Sequence, residues 1–241
     1  MDNKKNEITL SFIVPALNEE ANIEATVEQI QIAARGFFLN YEIILVNDCS
    51  ADLTPAIMEN LAAQNNKIRV LHNKNNLNLG GSYKLGVSES QFDYVMLVPG
   101  DNAWPSDSLG MILSKIGQAD MVIPYITDAK DKSFFRFLAS KGFTFLINTL
   151  FGLNIRYYNG LVVHRRDILN QIRITTDGFA YQAEALVKLL KKGCSYVEVG
   201  TPTIPREGGK SKALRLNNLY SVLKTILCLK RELNSKRNRQ Q

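Results

Sequence analysis

Cysteine, histidine and tryptophan are scarce in this chain, at 3, 2 and 1 of 241 residues. Cys49, Cys194 and Cys228 are odd in number and scattered, with no CxxC pair and no histidine cluster beside them. That excludes a disulfide framework or a thiolate metal site and leaves reduced thiols. The opening residues Met-Asp-Asn-Lys-Lys-Asn-Glu lack the apolar stretch of a signal peptide, so the chain is expected to stay in the cytosol. No internal repeat or low-complexity stretch is visible. The most apolar segment, Ser133 to Leu153, is broken by Arg136, Lys141 and Asn148, which are costly at a bilayer centre, so no membrane span is expected. Acidic residues are also rare toward the end. From Arg206 onward ten Lys/Arg face only Glu207 and Glu232, a local charge of +8 in a chain of net +6. The preceding body is therefore near neutral. A basic tail on such a body argues against a general nucleic-acid binder and for an anionic membrane surface.

What is present is an ordinary globular composition, 45% hydrophobic and 22% charged, in a length that suits one domain with a tail. Apolar runs at Ile8–Val14, Tyr41–Val46, Ile68–Leu71, Tyr94–Val98 and Met121–Pro124 read as strands. Segments with helical spacing fall between them at Glu20–Arg35, Thr54–Gln64, Ser82–Glu89 and Ser106–Ile116. This alternation predicts an α/β fold, a mostly parallel sheet flanked by helices. Ser133–Leu153 reads as a helix that either covers the sheet or lies at a membrane interface. After Lys212, Leu219, Val222, Leu223, Ile226, Leu229 and Leu233 recur at three and four residues, which predicts a basic amphipathic C-terminal helix.

Parallel sheets bind ligands at the carboxyl ends of their strands, and the polar signals fall there. Val14-Pro-Ala-Leu-Asn-Glu-Glu20 follows strand one, Asn47-Asp-Cys-Ser-Ala-Asp52 strand two, and Pro99-Gly-Asp-Asn102 strand four. Asp48 suits hydrogen bonds from a ribose or base, with Glu19 near enough to help; a plain turn residue is the alternative. Asp52 reads equally as a helix N-cap. Gly80 and Gly81, placed before a helix, allow backbone to approach a ligand or another strand closely. Asp101 is the carboxylate placed to hold Mg²⁺ or Mn²⁺ beside a diphosphate, unless Gly-Asp-Asn is simply a turn. Arg206, Lys210 and Lys212 in a Gly-rich loop suit a phosphate clamp or a solvated basic loop. In this order the pieces describe a nucleotide-sugar site.

Together these segments resemble family 2 glycosyltransferases of the GT-A fold, and most closely the dolichyl- and polyprenyl-phosphate sugar synthases. The resemblance runs from about Leu10 to Lys212. It is carried by Val14-Pro-Ala-Leu-Asn-Glu19, Val46-Asn-Asp-Cys-Ser-Ala-Asp-Leu-Thr54, Gly80-Gly-Ser-Tyr-Lys-Leu-Gly86 and Pro99-Gly-Asp101. Its most specific matches are Gly178-Phe-Ala-Tyr-Gln-Ala-Glu184 and Arg206-Glu-Gly-Gly-Lys-Ser-Lys212.

The resemblance implies a GT-A domain over 1–212 with a basic amphipathic helix and tail over 213–241. Pro15, Leu17, Glu19 and Asp48 would line the base and ribose site, with Gly80 in the nucleotide-binding set. Asp101 and Gln182 would hold Mg²⁺ or Mn²⁺, and Arg206 and Lys212 would contact the phosphates. The implied reaction moves a sugar from a nucleoside-diphosphate sugar donor to a lipid-linked phosphate at the cytoplasmic membrane face, with inversion. A glycan hydroxyl is the alternative acceptor, with Asp177 as base unless it only caps the following helix. Three departures stand out. Asn47 replaces the first Asp of the second segment, Pro99 the first Asp of D-x-D, and Val162 the Arg of the synthases' S-G-F-R segment, so donor sugar or acceptor could differ from theirs. Loss of one metal carboxylate weakens or relaxes the metal requirement and leaves room for a nucleotide-sugar binder with little chemistry. His164 reads as a packing residue before an acceptor ligand. A nucleotidyltransferase is disfavoured by the missing Gly-rich loop with Arg and Lys after strand one.

Overall fold

The computed structural model describes residues 8–37, 40–127, 134–202 and 216–238. Strands β1 (Leu10–Ala16), β2 (Tyr41–Asn47), β3 (Ile68–His72) and β4 (Tyr94–Leu97) alternate with helices α1 (Ile23–Arg35), α2 (Thr54–Gln64) and α3 (Asn78–Glu89). Then follow α4 (Ser106–Leu113), β5 (Met121–Ile126), α5 (Phe134–Phe151), β6 (Val163–Arg165), α6 (Arg166–Leu169), α7 (Tyr181–Lys191), β7 (Tyr196–Thr201) and α8 (Leu216–Asn238). They build one sheet in the order β3-β2-β1-β4-β6-β5-β7. All pairings are parallel except those of β6, which runs antiparallel between β4 and β5.

Alternate strand residues feed two cores. Phe12 and Val14 of β1 pack with Ile23, Val27 and Ile30 of α1 and Leu109 and Ile112 of α4 on one face. Ile13 packs with Tyr83 of α3, Ile147 and Phe151 of α5, and Leu186 and Leu189 of α7 on the other. Because β1 continues outward both to β2 and to β4, its carboxyl end is a topological switch point, the place where open parallel sheets bind ligands.

Two expected helix starts move. The first helix begins at Ile23 because Asn22 and Ile23 donate backbone N–H to the Glu19 carbonyl in a turn of their own. The third begins at Asn78, so Gly80 and Gly81 lie inside its first turn, not before it. Strands β6 and β7 escape sequence reading, since β6 spans only Val163–Arg165, too short for any period to show.

The last helix also changes meaning. Ile226 and Leu229 of α8 are buried in the second core, with Val222 and Leu233 packed against it. The apolar stripe legible in the sequence is therefore largely spent on the body of the protein. Leu223 of that stripe, together with Tyr220 and Leu227, faces outward instead, as do Leu138, Phe145 and Leu146 of the adjoining α5. These six are most of the eleven exposed large apolar side chains among the described residues, so the concentration is a surface feature and not scatter. Among the described residues no helix is long and apolar enough to cross a membrane. The expected boundary between residues 212 and 213 lies outside the described residues.

Candidate active site

The loops after β1 and β2 are sewn together by reciprocal hydrogen bonds. Asn18 N–H donates to Ser50 Oγ at 3.0 Å and Ala51 N–H to Asn18 Oδ1 at 2.8 Å. Glu20 N–H donates to Asp52 Oδ2 at 3.2 Å, and Leu53 N–H returns to Glu20 Oε2 at 2.9 Å. Glu19 N–H donates to Thr54 Oγ1. Asn18 and Cys49 take left-handed backbone angles, φ 57° and 64°, which lets both loops reverse sharply over the sheet edge. Asp52 is therefore structural: its Oδ1 also accepts from Thr54 N–H at the start of α2. Partial burial pushes its carboxyl up, but the bonds from Thr54 and Glu20 outweigh this and hold it below the ordinary value.

Asp48 sits buried at the end of β2. Its Oδ1 accepts from Asn73 Nδ2 and from Leu77 N–H, both at 2.7 Å, while Oδ2 has no hydrogen bond among the described residues. One oxygen anchors the side chain and the other keeps its capacity to accept a hydrogen bond. Asn73, which no sequence signal marked, also donates to Ser82 Oγ at 3.0 Å and so ties Asp48 to α3.

Asp101 lies beside β1, since Gly100 N–H donates to the Pro15 carbonyl at 3.1 Å. Position 100 must be glycine for this approach: a Cβ there would meet Ala16 Cβ at 2.9 Å. Asp101 is 9% exposed, and Asn102 beyond it takes φ 50° with its N–H on Thr26 Oγ1. The Asn102 Oδ1 is buried with no hydrogen-bond partner among the described residues. No group of three or more His, Cys, Asp or Glu side chains gathers there among those residues. The Asp101 carboxylate and the orphaned amide oxygen of the neighbouring Asn102 are nonetheless both hard oxygens, the donor type that Mg²⁺ or Mn²⁺ takes in small number from protein.

Gly80 and Gly81 approach protein, not open space. Both donate N–H to the Asp177 carbonyl, at 2.8 and 3.3 Å, and a Cβ on Gly80 would meet the Asp177 carbonyl carbon at 2.8 Å. The close approach legible in the two glycines thus serves the turn before α7. Asp177 does not cap α7, whose N-cap is Ala180. Its side chain is 61% exposed and ion-paired with Lys84 at 2.5 Å.

Gln182 is buried, with its amide nitrogen 3.3 Å from Nε2 of the fully buried His164. The amide can only donate, so His164 Nε2 accepts and its Nδ1 carries the proton toward Tyr83 Oη at 3.3 Å. Burial drives the His164 pKa from 6.5 down to about 3. The folded chain thus refuses a proton that the unfolded chain binds below the ordinary value. Stability is full above that value and falls by about 1.4 kcal/mol per pH unit below it. Urea midpoints are expected to drop between about pH 6.5 and 4.5, before carboxylates titrate, and His164→Gln to flatten the drop. An unchanged slope in the variant would rule His164 out as its source.

Pro15 is buried at the end of β1 and Leu17 half-buried beyond it, with the Glu19 carboxylate accepting from Asn22 Nδ2 at 2.8 Å. Arg206, Lys210 and Lys212 lie outside the described residues.

The family described as Glycosyl transferase family 2 matches residues 11–173. An undecaprenyl-phosphate 4-deoxy-4-formamido-L-arabinose transferase of Pectobacterium carotovorum is 26% identical over 94% of this chain and 69% of its own length. A dolichol-phosphate mannosyltransferase of Pyrococcus furiosus is 26% identical over 90% of this chain and 62% of its own. Glycosyltransferase GlyG of Streptococcus pneumoniae is 28% identical over 56% of this chain and 45% of its own. The chain thus spans less than two thirds of two of these three relatives. Among solved structures, glucosyl-3-phosphoglycerate synthase of Mycobacterium tuberculosis, crystallised with Mn²⁺, UDP and phosphoglyceric acid, shares the fold. Its TM-score is 0.71 at 17% identity, over 92% of this chain and 78% of that one. Mannosyl-3-phosphoglycerate synthase of Rubrobacter xylanophilus also scores 0.71, at 16% identity, over 97% of this chain and 76% of its own.

Proposed function

From the premise that the chain belongs to glycosyl transferase family 2 and is a glycosyltransferase, we propose that it moves a sugar from a nucleoside-diphosphate donor to a lipid-linked phosphate at the cytoplasmic membrane face. The observation that carries the donor half is the pair of carboxylates at the strand ends around the switch point. There Asp48 holds one oxygen ready for a base or ribose and Asp101 stands where the diphosphate would lie. Pro15, Leu17 and Glu19 would complete the base and ribose wall. Gly80 belongs to this set only through the α3 turn it forms.

Asp101 would hold the divalent ion, with the Asn102 Oδ1 beside it. Gln182 would offer its Oε1, the donor atom of a carboxamide, while its amide nitrogen bonds His164. When bound, such an ion would supply positive charge against the departing diphosphate. Arg206 and Lys212 would add their positive charge to it. An acceptor phosphate oxygen attacks the anomeric carbon opposite the leaving group. The new C–O bond forms as the old one breaks, the electron pair leaves with the diphosphate, and the configuration inverts. A phosphate is already ionised at neutral pH and needs no base.

The lipid acceptor draws support from the chain's synthase relatives and from the apolar face of α5 and α8. A second reading, transfer to a glycan hydroxyl, draws on the exposed Asp177 carboxylate, which would be the base. Asp177→Asn separates the two when transfer from UDP- and GDP-sugars is followed with polyprenyl phosphate and with glycan acceptors. Lipid-phosphate transfer is expected to survive within a few-fold. A base role predicts a loss of about 100-fold or more on a glycan acceptor. No transfer to polyprenyl phosphate from any donor would sink the first reading.

A further inference from the structure

Glu184 closes the Gly178–Glu184 segment, yet neither the donor site nor the metal site uses it. It is 2% exposed, and its carboxylate is saturated with donors. Thr175 N–H lies 2.9 Å from Oε1 and 3.0 Å from Oε2, Thr175 Oγ1 is 2.8 Å from Oε1, and Thr176 N–H is 3.1 Å from Oε2. Lys188, one turn later and 6% exposed, adds its Nζ at 2.7 Å. The same Nζ bonds the Arg173 carbonyl at 2.8 Å and Glu232 of α8 at 2.9 Å. Apolar side chains would fill this space at no desolvation cost, so a buried charged pair is a poor device for stability alone. What it provides is direction, because four of its bonds fix the backbone and side chain of a single turn.

The next residue in that turn is Asp177, whose carbonyl takes the Gly80 and Gly81 N–H groups of α3. Leu77, the N-cap of α3, in turn donates its N–H to Asp48 Oδ1 at 2.7 Å. We propose that Glu184 is a positioning residue for donor binding: it sets the Thr175–Asp177 turn, the turn sets the first turn of α3, and α3 holds Asp48. Glu184 itself touches no donor atom. The relay stands on geometry, and only its consequence for affinity rests on the donor-site reading above.

The test uses the whole chain, with UDP and GDP as probes by calorimetry, and amide exchange without ligand. Glu184→Gln keeps the shape but removes the charge. Exchange at Gly80 and Gly81 is expected to quicken about tenfold while β1 and β2 stay unchanged, and the Kd of whichever diphosphate the wild type binds to rise about tenfold. Thr175→Val, which removes a single bond to the carboxylate, is expected to move both readouts the same way by less, and it decides the matter if Glu184→Gln does not fold. Unchanged exchange at Gly80 and Gly81, or equal acceleration throughout the chain, overturns the relay. Faster local exchange with unchanged affinity makes Glu184 merely structural and also overturns the proposal. A wild type that binds neither diphosphate sinks the donor-site reading instead, and the exchange arm still judges the relay.

Discussion

Asp101→Ala is expected to lower sugar transfer by about 10²- to 10³-fold and to abolish any gain in donor affinity from Mn²⁺. Asp101 is the one carboxylate that the Pro99–Asn102 turn brings beside the end of β1, because Pro99 stands where the resemblance has a first Asp. With a single carboxylate, its removal takes away the only formal negative charge offered there to a cation by that turn. The reaction then meets the diphosphate's developing charge without its main counterweight. Calorimetry with UDP- and GDP-sugars, with and without Mn²⁺, reads the affinity, and turnover reads the barrier. Asn102→Ala is expected to weaken the metal's effect less, since an amide oxygen carries no formal charge. Metal-enhanced binding that persists in Asp101→Ala would move the ion elsewhere.

The second large effect concerns the outward face of α5 and α8. Tyr220, Leu223 and Leu227 lie along one stripe of α8, with Lys224 and Arg231 also exposed. The helix has one acidic residue, Glu232, and it is tied to Lys188. On α5, Leu138, Phe145 and Leu146 are exposed with Lys141, and the helix has no acidic residue. Apolar side chains interleaved with cations suit the headgroup layer of an anionic bilayer. The chain is expected to float with anionic vesicles in a salt-sensitive way and not with neutral ones. Leu223→Glu with Leu227→Glu removes about 1.5–3 kcal/mol of apolar burial per site and adds charge repulsion, so partitioning is expected to fall at least about 100-fold. Val222 and Leu233 lie on the face turned to the core, so substitutions there would be read as stability losses. Equal flotation of the double variant would overturn this placement of the membrane face.

Much of the fold was legible because its local signals agree with its tertiary demands. Strands such as Tyr41–Asn47 are buried on both faces, so that Ile43–Val46 reads as a continuous apolar run, and α2 begins and ends where its spacing says. The Pro15–Glu20, Asn47–Asp52 and Pro99–Asp101 segments were readable as strand-end loops for the same reason. Their division of labour was not. Asp52, Asn18 and Glu20 brace two loops, whereas Asp48 is held by Asn73 and Leu77 and takes no part in that bracing, and only the tertiary structure separates these roles. The glycines at 80 and 81 show the same limit. Their need for close approach was visible, but the partner, a carbonyl almost a hundred residues on, was not.

By itself the sequence determined the alternation of strand and helix, the edge of the sheet that carries the polar residues, and the excess of positive charge after Arg206. These follow from periodicity and composition, which act over a turn or a strand. Tertiary structure alone decided which oxygen of Asp48 is left open, which face of α8 is covered, and that Asp177 meets α3 through both its carbonyl and its ion pair with Lys84. Those outcomes depend on side chains far apart in the chain competing for the same few donors and the same apolar surface, and no local pattern records who wins.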